Sequence, residues 1–243
     1  MSITVKITRL HGPLQNYGIV LHDADSGETA CVDAGEAAPI LEVLEAEGWR
    51  LTQLWVTHHH NDHVAAIKEV KAATGCTVFG PSDSRVPIAG LDRHVAGGDA
   101  ISLGKHRVEV WHTPGHTLDM LNYYLPDAGV YCAGDTLFPM GCGRLFEGTA
   151  DTMFDSFAKL KTLPLQTEVY AAHEYTVSNA EFAAAHRAEN GAIAARLKEV
   201  LAMRARGEPT IPTTIGRELE TNPFMLAATA QEFAALRKAK DAA

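Results

Sequence analysis

The run from Thr57 to His63, with the sequence THHHNDH, constrains this chain more than any other feature. It follows the apolar residues Leu54-Trp55-Val56 and precedes a segment with helical spacing over residues 64–73. Neutral imidazole and carboxylate groups suit Zn(II), Fe(II) or Mn(II). The run contains no cysteine, so the choice among these metals stays open. Because the run is internal and lies between a strand and a helix, we interpret it as a metal-binding turn. The predicted ligands are His58, His60, Asp62 and His63, whereas His59 is expected to pack or to support its neighbours.

Three later residues each follow an apolar segment that is typical of a strand. They are His116 in TPGHT, Asp135 in AGDT and His173 in AAHE. The carboxyl ends of strands are where α/β folds place their sites. Together with the histidine run, these residues can supply two metal sites whose ions lie about 3.5–4 Å apart and share a hydroxide. The first set is His58, His60 and His116, the second is Asp62, His63 and His173, and Asp135 bridges the two.

Composition limits the classes of function. The chain has 243 residues, enough for a large core, and its formal net charge is −9, which argues against a nucleic-acid partner. No apolar stretch approaches the length of about 18 residues that a membrane span requires. The amino-terminal residues do not have the pattern of a signal peptide. Four cysteines without a C-x-x-C pair are expected to be reduced thiols, so the expected compartment is the cytoplasm (Cys31, Cys76, Cys132 and Cys142).

Periodicity predicts an α/β part followed by a helical part. Strands are predicted at 3–8, 19–22, 28–33, 51–57, 76–79, 107–113, 121–125, 129–133 and 168–172, and helices at 37–47 and 64–73. The composition then becomes rich in Ala, Glu and Arg. This predicts a helix over 179–205, a Pro/Thr-rich connection over 210–224 and a last helix over 229–240. We therefore predict a catalytic domain at 1–178 and a helical subdomain at 179–243.

The H-x-H-x-D-H signature resembles that of the metallo-β-lactamase superfamily. Within it, four segments resemble the glyoxalase II, or hydroxyacylglutathione hydrolase, family. They are THHHNDH at 57–63, GCGRLFEG at 141–148, HEYT at 173–176 and NPFM at 222–225. The resemblance implies a four-layer αββα sandwich with a C-terminal helical subdomain that covers the substrate.

The resemblance also implies an activity, the hydrolysis of S-D-lactoylglutathione to D-lactate and glutathione by a metal-bridging hydroxide. Asp62 and Asp135 are expected to orient that hydroxide as well as to bind the metals. Two divalent ions are implied, with zinc expected and iron or manganese as alternatives. The implied partner is the small thioester alone, with the chain acting as a monomer and binding neither nucleic acid nor membrane.

Substrate contacts follow from the same resemblance, residue by residue. Arg144 stands where the family has a basic residue in the Gly-Cys-Gly motif, Phe146 where some members have Tyr, and Tyr175 in the HEYT motif. The family usually has Arg after NPF-x, but this chain has Leu226, so Arg237, Lys238 and Lys240 are the candidate cations. Asp119-Met120 stands where the family often has Gly-His.

Three alternatives stay open at this point. A protein of the same fold could hydrolyse the thioester of another acyl thiol, or could be a mononuclear iron persulfide dioxygenase. It could also bind metal without catalysing a reaction.

Asp33 closes a predicted strand and is a candidate for orienting the metal-binding turn, and Glu174 is a candidate for supporting His173.

Overall fold

The computed structural model of the chain describes residues 3–10 and 15–243. Two compact units divide it. The first comprises Met1–His112 and Asp119–Gly134, and the second comprises Thr113–Leu118 and Asp135–Ala243. The predicted boundary between residues 178 and 179 remains a prediction. Among the described residues, no helix has both the length and the apolar character that crossing a membrane requires.

The first unit begins with a six-stranded sheet whose strands follow chain order. β1 pairs antiparallel with β2 and β2 with β3, whereas β3 to β6 run parallel. The strands are β1 (Ile3–Arg9), β2 (Tyr17–Asp23), β3 (Thr29–Val32), β4 (Gln53–Trp55), β5 (Thr77–Pro81) and β6 (Arg93–Val95). The helices between them are α1 (Ala38–Glu47), α2 (Asn61–Val64) and α3 (Ile67–Thr74).

Helices α1 and α3 cover this sheet because their apolar residues recur at helical spacing. Ile40 and Leu44 of α1 lie in one buried cluster with Ile67 and Val70 of α3 and with residues of β2 to β5. Both helices end at a glycine in the left-handed region, at Gly48 with φ 69° and at Gly75 with φ 72°.

Four further strands of the first unit form an antiparallel array in the order β10-β9-β8-β7. They are β7 (Ala100–Leu103), β8 (His106–His112), β9 (Leu121–Leu125) and β10 (Val130–Gly134). Tyr123 on β9 lies against the first sheet, where its ring centroid is 5.3 Å from that of Trp55 and its hydroxyl donates to the Val56 carbonyl at 2.7 Å. The two sets of strands therefore face each other over a buried core, and turns that carry candidate ligands follow β4 and β10 in the sequence.

The second unit is mainly helical. Its helices are α4 (Ala150–Leu160), α5 (Thr176–His186), α6 (Gly191–Ala205), α7 (Ile215–Thr221), α8 (Pro223–Leu226) and α9 (Ala230–Asp241). Its strands are β11 (Leu137–Phe138), β12 (Gly141–Cys142), β13 (Glu168–Ala171) and β14 (Thr213–Thr214), paired antiparallel as β11 with β12 and β13 with β14. The buried ring of Phe233 on α9 joins this unit together, packing at 5.3 Å from Phe157 of α4 and 5.1 Å from Phe224 of α8.

Several elements differ from the sequence predictions. The single helix predicted over 179–205 is two helices, α5 and α6. The break falls before Gly191, where the Asn190 side chain accepts from the backbone N–H groups of Ala192 and Ile193 and so starts a new helix. The connection predicted over 210–224 contains α7, which begins at Thr214 in the same way. Strands β6 and β7 and helix α4 were not predicted.

Candidate metal centre

The histidine run lies where the sequence predicted it, between β4 and α2. His60 has extended backbone angles (φ −62°, ψ 141°) and α2 begins directly after it, so the direction of the side chains changes there. His58 and His63 are fully buried, and their ring centroids lie 4.1 Å apart. The ring of His60 lies 4.7 Å from that of His58. This local turn therefore gathers the predicted histidine ligands of the first unit.

Asp33 holds two of these histidines. One carboxylate oxygen, Oδ2, accepts from His63 Nδ1 at 2.7 Å and from the Thr57 hydroxyl at 2.8 Å, and Oδ1 accepts from the Thr57 backbone N–H at 2.7 Å. The Thr57 hydroxyl oxygen in turn lies 2.9 Å from His58 Nδ1. Because the Thr57 hydroxyl donates its one proton to Asp33, it can only accept in the hydrogen bond with His58, and His58 Nδ1 is therefore the donor.

These bonds fix the tautomers of both rings. With Nδ1 as the donor, the neutral imidazoles of His58 and His63 each carry their lone pair on Nε2, which is the form that binds a metal ion. Asp33 is the residue for which an orienting role was considered from the sequence, and the structure provides the bonds for that role. Its backbone has φ 60°, a region that Asp and Asn tolerate better than other residues with a side chain.

Asp62 is held by a residue that sequence reasoning missed. Asn16 donates its side-chain N–H to Asp62 Oδ2 at 2.9 Å, and the same oxygen lies 3.3 Å from His63 Nε2. An imidazole lone pair that faces a carboxylate oxygen at this distance is an arrangement that a shared cation would stabilise. A Cβ atom at Gly35 would overlap the Asp62 carbonyl oxygen, so a glycine at this position lets the two loops approach.

His59 lies apart from this arrangement. Its Nδ1 is 3.0 Å from Asp119 Oδ2, and the same oxygen accepts from the Ser84 hydroxyl at 2.6 Å. A carboxylate of the first unit therefore supports the middle histidine of the run. Asp119 is one of the positions at which the sequence departs from the family pattern.

The second unit gathers His116, Asp135 and His173 around one oxygen atom. The Nε2 atoms of His116 and His173 each lie 3.3 Å from Asp135 Oδ2, and all three residues are buried. Asp135 follows β10 and His173 follows β13, as the strand-end argument predicted. His116, Asp135 and His173 can each offer one ligand atom to a metal ion.

The His116 ring is oriented by a backbone carbonyl. Its Nδ1 lies 2.8 Å from the oxygen of Arg144, and a carbonyl oxygen only accepts. Nδ1 therefore carries the proton, and the neutral ring presents its Nε2 lone pair to Asp135. A Cβ atom at Gly143 would overlap the Asp135 carbonyl oxygen, so the Gly-Cys-Gly motif packs directly on this cluster.

Aromatic side chains border the same cluster. The Tyr175 ring stacks on His173 at 4.8 Å with an interplanar angle of 3°, and the edge of Phe138 meets both rings. Phe146 lies 5.2 Å from His116, and 62% of its surface is exposed. Two predicted substrate contacts, Phe146 and Tyr175, are thus adjacent to predicted metal ligands of the same unit.

The side chains of the predicted cationic contacts differ in burial and in hydrogen-bond partners. The Arg144 side chain is 59% exposed and its Nε lies 3.3 Å from Asp241 Oδ1. Arg237 is buried, donating from Nη1 to the Cys142 carbonyl at 3.0 Å and from Nη2 to Asp241 at 2.8 Å. Lys240 donates to the carbonyl and hydroxyl oxygens of Ser178. All three side chains lie in the second unit.

Other candidates take structural places. Leu226, which stands where the family usually has Arg, packs against a buried cluster that includes Met140 and Ile193. Both carboxylate oxygens of Glu174 accept from Thr210, its hydroxyl and its backbone N–H, so Glu174 is not a solvated carboxylate. Burial raises the pKa of the Cys142 thiol to about 12, so this cysteine stays protonated near neutral pH.

Comparisons with known proteins place the chain in a family. Residues 11–173 match the family model described as metallo-beta-lactamase superfamily, and residues 174–243 match the one described as hydroxyacylglutathione hydrolase C-terminus. A curated hydroxyacylglutathione hydrolase from Rhizobium etli is 46% identical over 240 residues, covering 93% of this chain and 94% of the relative. Another from Rhizobium meliloti is 48% identical over 230 residues, covering 94% and 90%.

Solved structures support the fold. ETHE1 from Myxococcus xanthus superposes with a TM-score of 0.73 at 23% identity, covering 98% of this chain and 90% of that one. The B3 metallo-beta-lactamase BLEG-1 gives 0.70 at 23% identity, covering 92% and 100%. These confirm the predicted α/β fold class of the metallo-β-lactamase type with a helical C-terminal region. With the sequence matches across nearly its whole length, the chain belongs to the hydroxyacylglutathione hydrolase family of the metallo-β-lactamase superfamily.

Proposed function

We propose that this protein is a hydroxyacylglutathione hydrolase that uses two divalent metal ions to hydrolyse S-(2-hydroxyacyl)glutathione thioesters, S-D-lactoylglutathione among them. The observation that carries the proposal is the pair of Nε2 atoms, from His116 and His173, that lie 3.3 Å from one oxygen of Asp135. The proposal is also supported by relatives that are 46–48% identical to this chain and are named hydroxyacylglutathione hydrolases.

The donor set fits divalent metal ions. His116 and His63 each donate the Nδ1 proton to an acceptor oxygen. The Nε2 lone pair of each ring is therefore directed at a carboxylate. Nitrogen and oxygen donors without cysteine suit zinc, the proposed metal, and also admit iron or manganese. The proposed first set is His58, His60 and His116, and the proposed second set is Asp62, His63 and His173, with Asp135 in both.

When bound, such ions supply Lewis acidity, which polarises a carbonyl and lowers the pKa of water. Asp62 and Asp135 are proposed to orient the attacking water through their carboxylate oxygens, because Asn16 fixes the first and His116 and His173 flank the second. In the reaction the water oxygen joins the acyl carbon, the C–S bond breaks, and the thiolate takes up the proton. A thiol has a pKa of about 8.5, so its thiolate leaves without a dedicated acid.

The side chains of the second unit are the proposed substrate contacts. Exposed Phe146 beside His116 and Tyr175 beside His173 would line the thioester, and exposed Arg144 would receive an anionic part of the glutathione peptide. Arg237 and Lys240 would contribute positive charge near it. Phe146 has no hydroxyl to donate, so its proposed contact with the substrate is apolar.

The remaining expectations are also proposals. The four cysteines are free and buried in the structure, in keeping with the reducing cytoplasm as compartment. A monomer and a boundary between residues 178 and 179 are proposed with it. Light scattering and limited proteolysis test these two.

The decisive experiment is thiol release from S-D-lactoylglutathione by metal-replete protein, compared with a thioester that lacks the glutathione peptide. Selective cleavage of the first supports the proposal. Equal or better cleavage of the second replaces glutathione with another acyl thiol. One iron per chain with oxygen consumption on a persulfide identifies a dioxygenase. Well-metallated protein that cleaves neither thioester refutes catalysis of this class.

Variants test the assignment of ligands. Asp135→Ala and His116→Ala are expected to abolish activity and to lower the metal content while the protein stays folded. His94→Ala is the matched control, because that histidine is exposed on β6 and outside both sets. Full activity in either ligand variant contradicts the assignment.

A further inference from the structure

The hairpin of β11 and β12 connects Asp135 to Arg144 and cannot hold its own shape. Each strand has two residues, paired as Leu137 with Cys142 and Phe138 with Gly141. A two-stranded hairpin is marginal in water even when it is much longer. Its turn also contains Met140 with φ 59°, a region that disfavours a residue with a long side chain. Contacts from elsewhere must therefore fix this hairpin.

Side chains of the C-terminal helices supply those contacts. Glu218 on α7 accepts from the Met140 backbone N–H at 2.7 Å, and Asn222 donates to the carbonyls of Gly141 at 2.9 Å and Phe138 at 3.3 Å. Asn222 also donates to Glu218 at 2.9 Å, so the two side chains act together. Both are fully buried, and they lie about 80 positions from the hairpin in sequence.

The hairpin in turn reaches the predicted ligands of the second unit. After β12, the Arg144 carbonyl takes the proton of His116 Nδ1, and Gly143 packs against the Asp135 carbonyl. Within β11, the Phe138 ring meets the rings of His173 and Tyr175. A shift of the hairpin would therefore move the group that orients His116 and the ring that packs on His173.

We propose that Glu218 and Asn222 are positioning residues for the hydrolase reaction, because they hold the hairpin whose Arg144 carbonyl and Phe138 ring orient His116 and His173. They touch neither ligand, and they act through the backbone of residues 138–144. The proposal rests on the proposed function for its activity readout, so its test also includes a measurement that needs no substrate.

The chemistry of Glu218 allows a matched set of variants. Oε2 accepts from Met140 and Asn222, whereas Oε1 accepts from the Thr213 hydroxyl at 2.7 Å. Glu218→Met keeps the length of the side chain and removes the acceptor for Met140. Glu218→Gln keeps an oxygen toward Met140 and turns its NH₂ toward Thr213, whose hydroxyl can accept. Thr213→Val removes a buried hydrogen bond from the other end of the same carboxylate and leaves the hairpin contact.

The first readout is steady-state thioester hydrolysis by metal-replete, folded protein. Since a displaced supporting group costs about 10- to 100-fold in activity or metal affinity, Glu218→Met is expected to lower kcat by that factor with little change in KM. Glu218→Gln is expected to recover most of the parent kcat, and Thr213→Val to keep it while lowering the unfolding midpoint. If Thr213→Val loses kcat as Glu218→Met does, or if Glu218→Met keeps the parent kcat, the role is structural only and the proposal is wrong.

The second readout is the NMR signal of the His116 Nδ1 proton in metal-depleted protein, assigned by its loss in His116→Ala. Glu218→Met is expected to shift or broaden this signal, and Thr213→Val to leave it in place. An unchanged signal in Glu218→Met overturns the proposal. If the parent protein hydrolyses no thioester, the proposed function fails and this measurement still decides about the positioning residues.

A variant at Asn222 covers the case in which Glu218→Met does not fold. Asn222 also caps α8 by accepting from the Phe224 N–H. Serine can keep that cap but cannot reach the hairpin carbonyls. Asn222→Ser is therefore expected to lower kcat and to shift the His116 signal. Parent-like values for both measurements in this variant refute the proposal by themselves.

Discussion

Replacing Asp33 with asparagine should impair metal binding without unfolding the chain. The carboxylate accepts three hydrogen bonds, two from Thr57 and one from His63 Nδ1. If the amide oxygen of asparagine keeps the bond to the Thr57 backbone N–H, its NH₂ group faces the His63 ring and the Thr57 hydroxyl. That group only donates. His63 must then accept at Nδ1 and carry its proton on Nε2.

The effect passes on to His58. A Thr57 hydroxyl that accepts from the amide is free to donate to His58 Nδ1, which moves the proton of that ring to Nε2 as well. Both predicted ligands would then present N–H where a metal requires a lone pair. The loss of one supporting partner costs about 10- to 100-fold in metal affinity, so two rings give about 10²- to 10⁴-fold. That factor corresponds to about 3 to 5.5 kcal/mol of binding free energy.

The assay is competition with a chelator, followed by metal analysis, with long-range ¹H–¹⁵N spectra of the metal-depleted protein to identify the tautomers. Asparagine tolerates the left-handed backbone of position 33, so the fold should survive. Asp23→Asn is the control, a buried carboxylate of the same unit whose partners Ser26 and Asp25 belong to a remote turn. Parent-like metal affinity and unchanged tautomers in Asp33→Asn would refute the reasoning.

Further predictions follow from the same contacts. Gly35→Ala should destabilise the fold by about 1–3 kcal/mol in urea, since its Cβ would overlap the Asp62 carbonyl, whereas Gly191→Ala, with open space around it, should not. Phe146→Ala should raise KM for the thioester, and an unchanged KM contradicts the substrate contact. Because the ring is mostly exposed, the same substitution should lower the free energy of unfolding by less than about 0.5 kcal/mol. A thiol reagent at pH 8 should leave native Cys142 unmodified, since its pKa of about 12 keeps it protonated, and rapid labelling contradicts this. Chelation should abolish hydrolysis, and zinc should restore it.

The predicted ligands were accessible from the sequence because their signals are local. Four of them lie within six consecutive residues, and the others lie within four residues after a strand end. The partners that orient them were not accessible in the same way. Asn16 is 46 positions from Asp62, and Glu218 is 78 positions from Met140. No periodicity links residues so far apart, so only the folded chain shows that they meet.

Burial also changes the meaning of residues that read as surface in the sequence. The segment Arg237-Lys238-Ala239-Lys240 has the composition of a solvated tail, yet Arg237 is buried and bonded to the Cys142 carbonyl and to Asp241. The Ala-rich stretch over 179–205 has helical periodicity throughout, yet α5 ends at His186 and Asn190 caps the start of a new helix. Composition and periodicity carry no information about either event.

In each unit, rings that are proposed to bind metal through Nε2 donate their Nδ1 proton to an acceptor within the same unit. In the first unit the acceptors are the Asp33 carboxylate, for His63, and the Thr57 hydroxyl, for His58. In the second unit the acceptor is the Arg144 carbonyl, for His116. A neutral imidazole in water can exchange between two tautomers, and only one of them exposes the required lone pair. Because these acceptors select that tautomer through bonds internal to the protein, the chain itself prepares the proposed ligands for metal binding. The substitutions expected to matter most for metal affinity therefore include residues outside both proposed ligand sets.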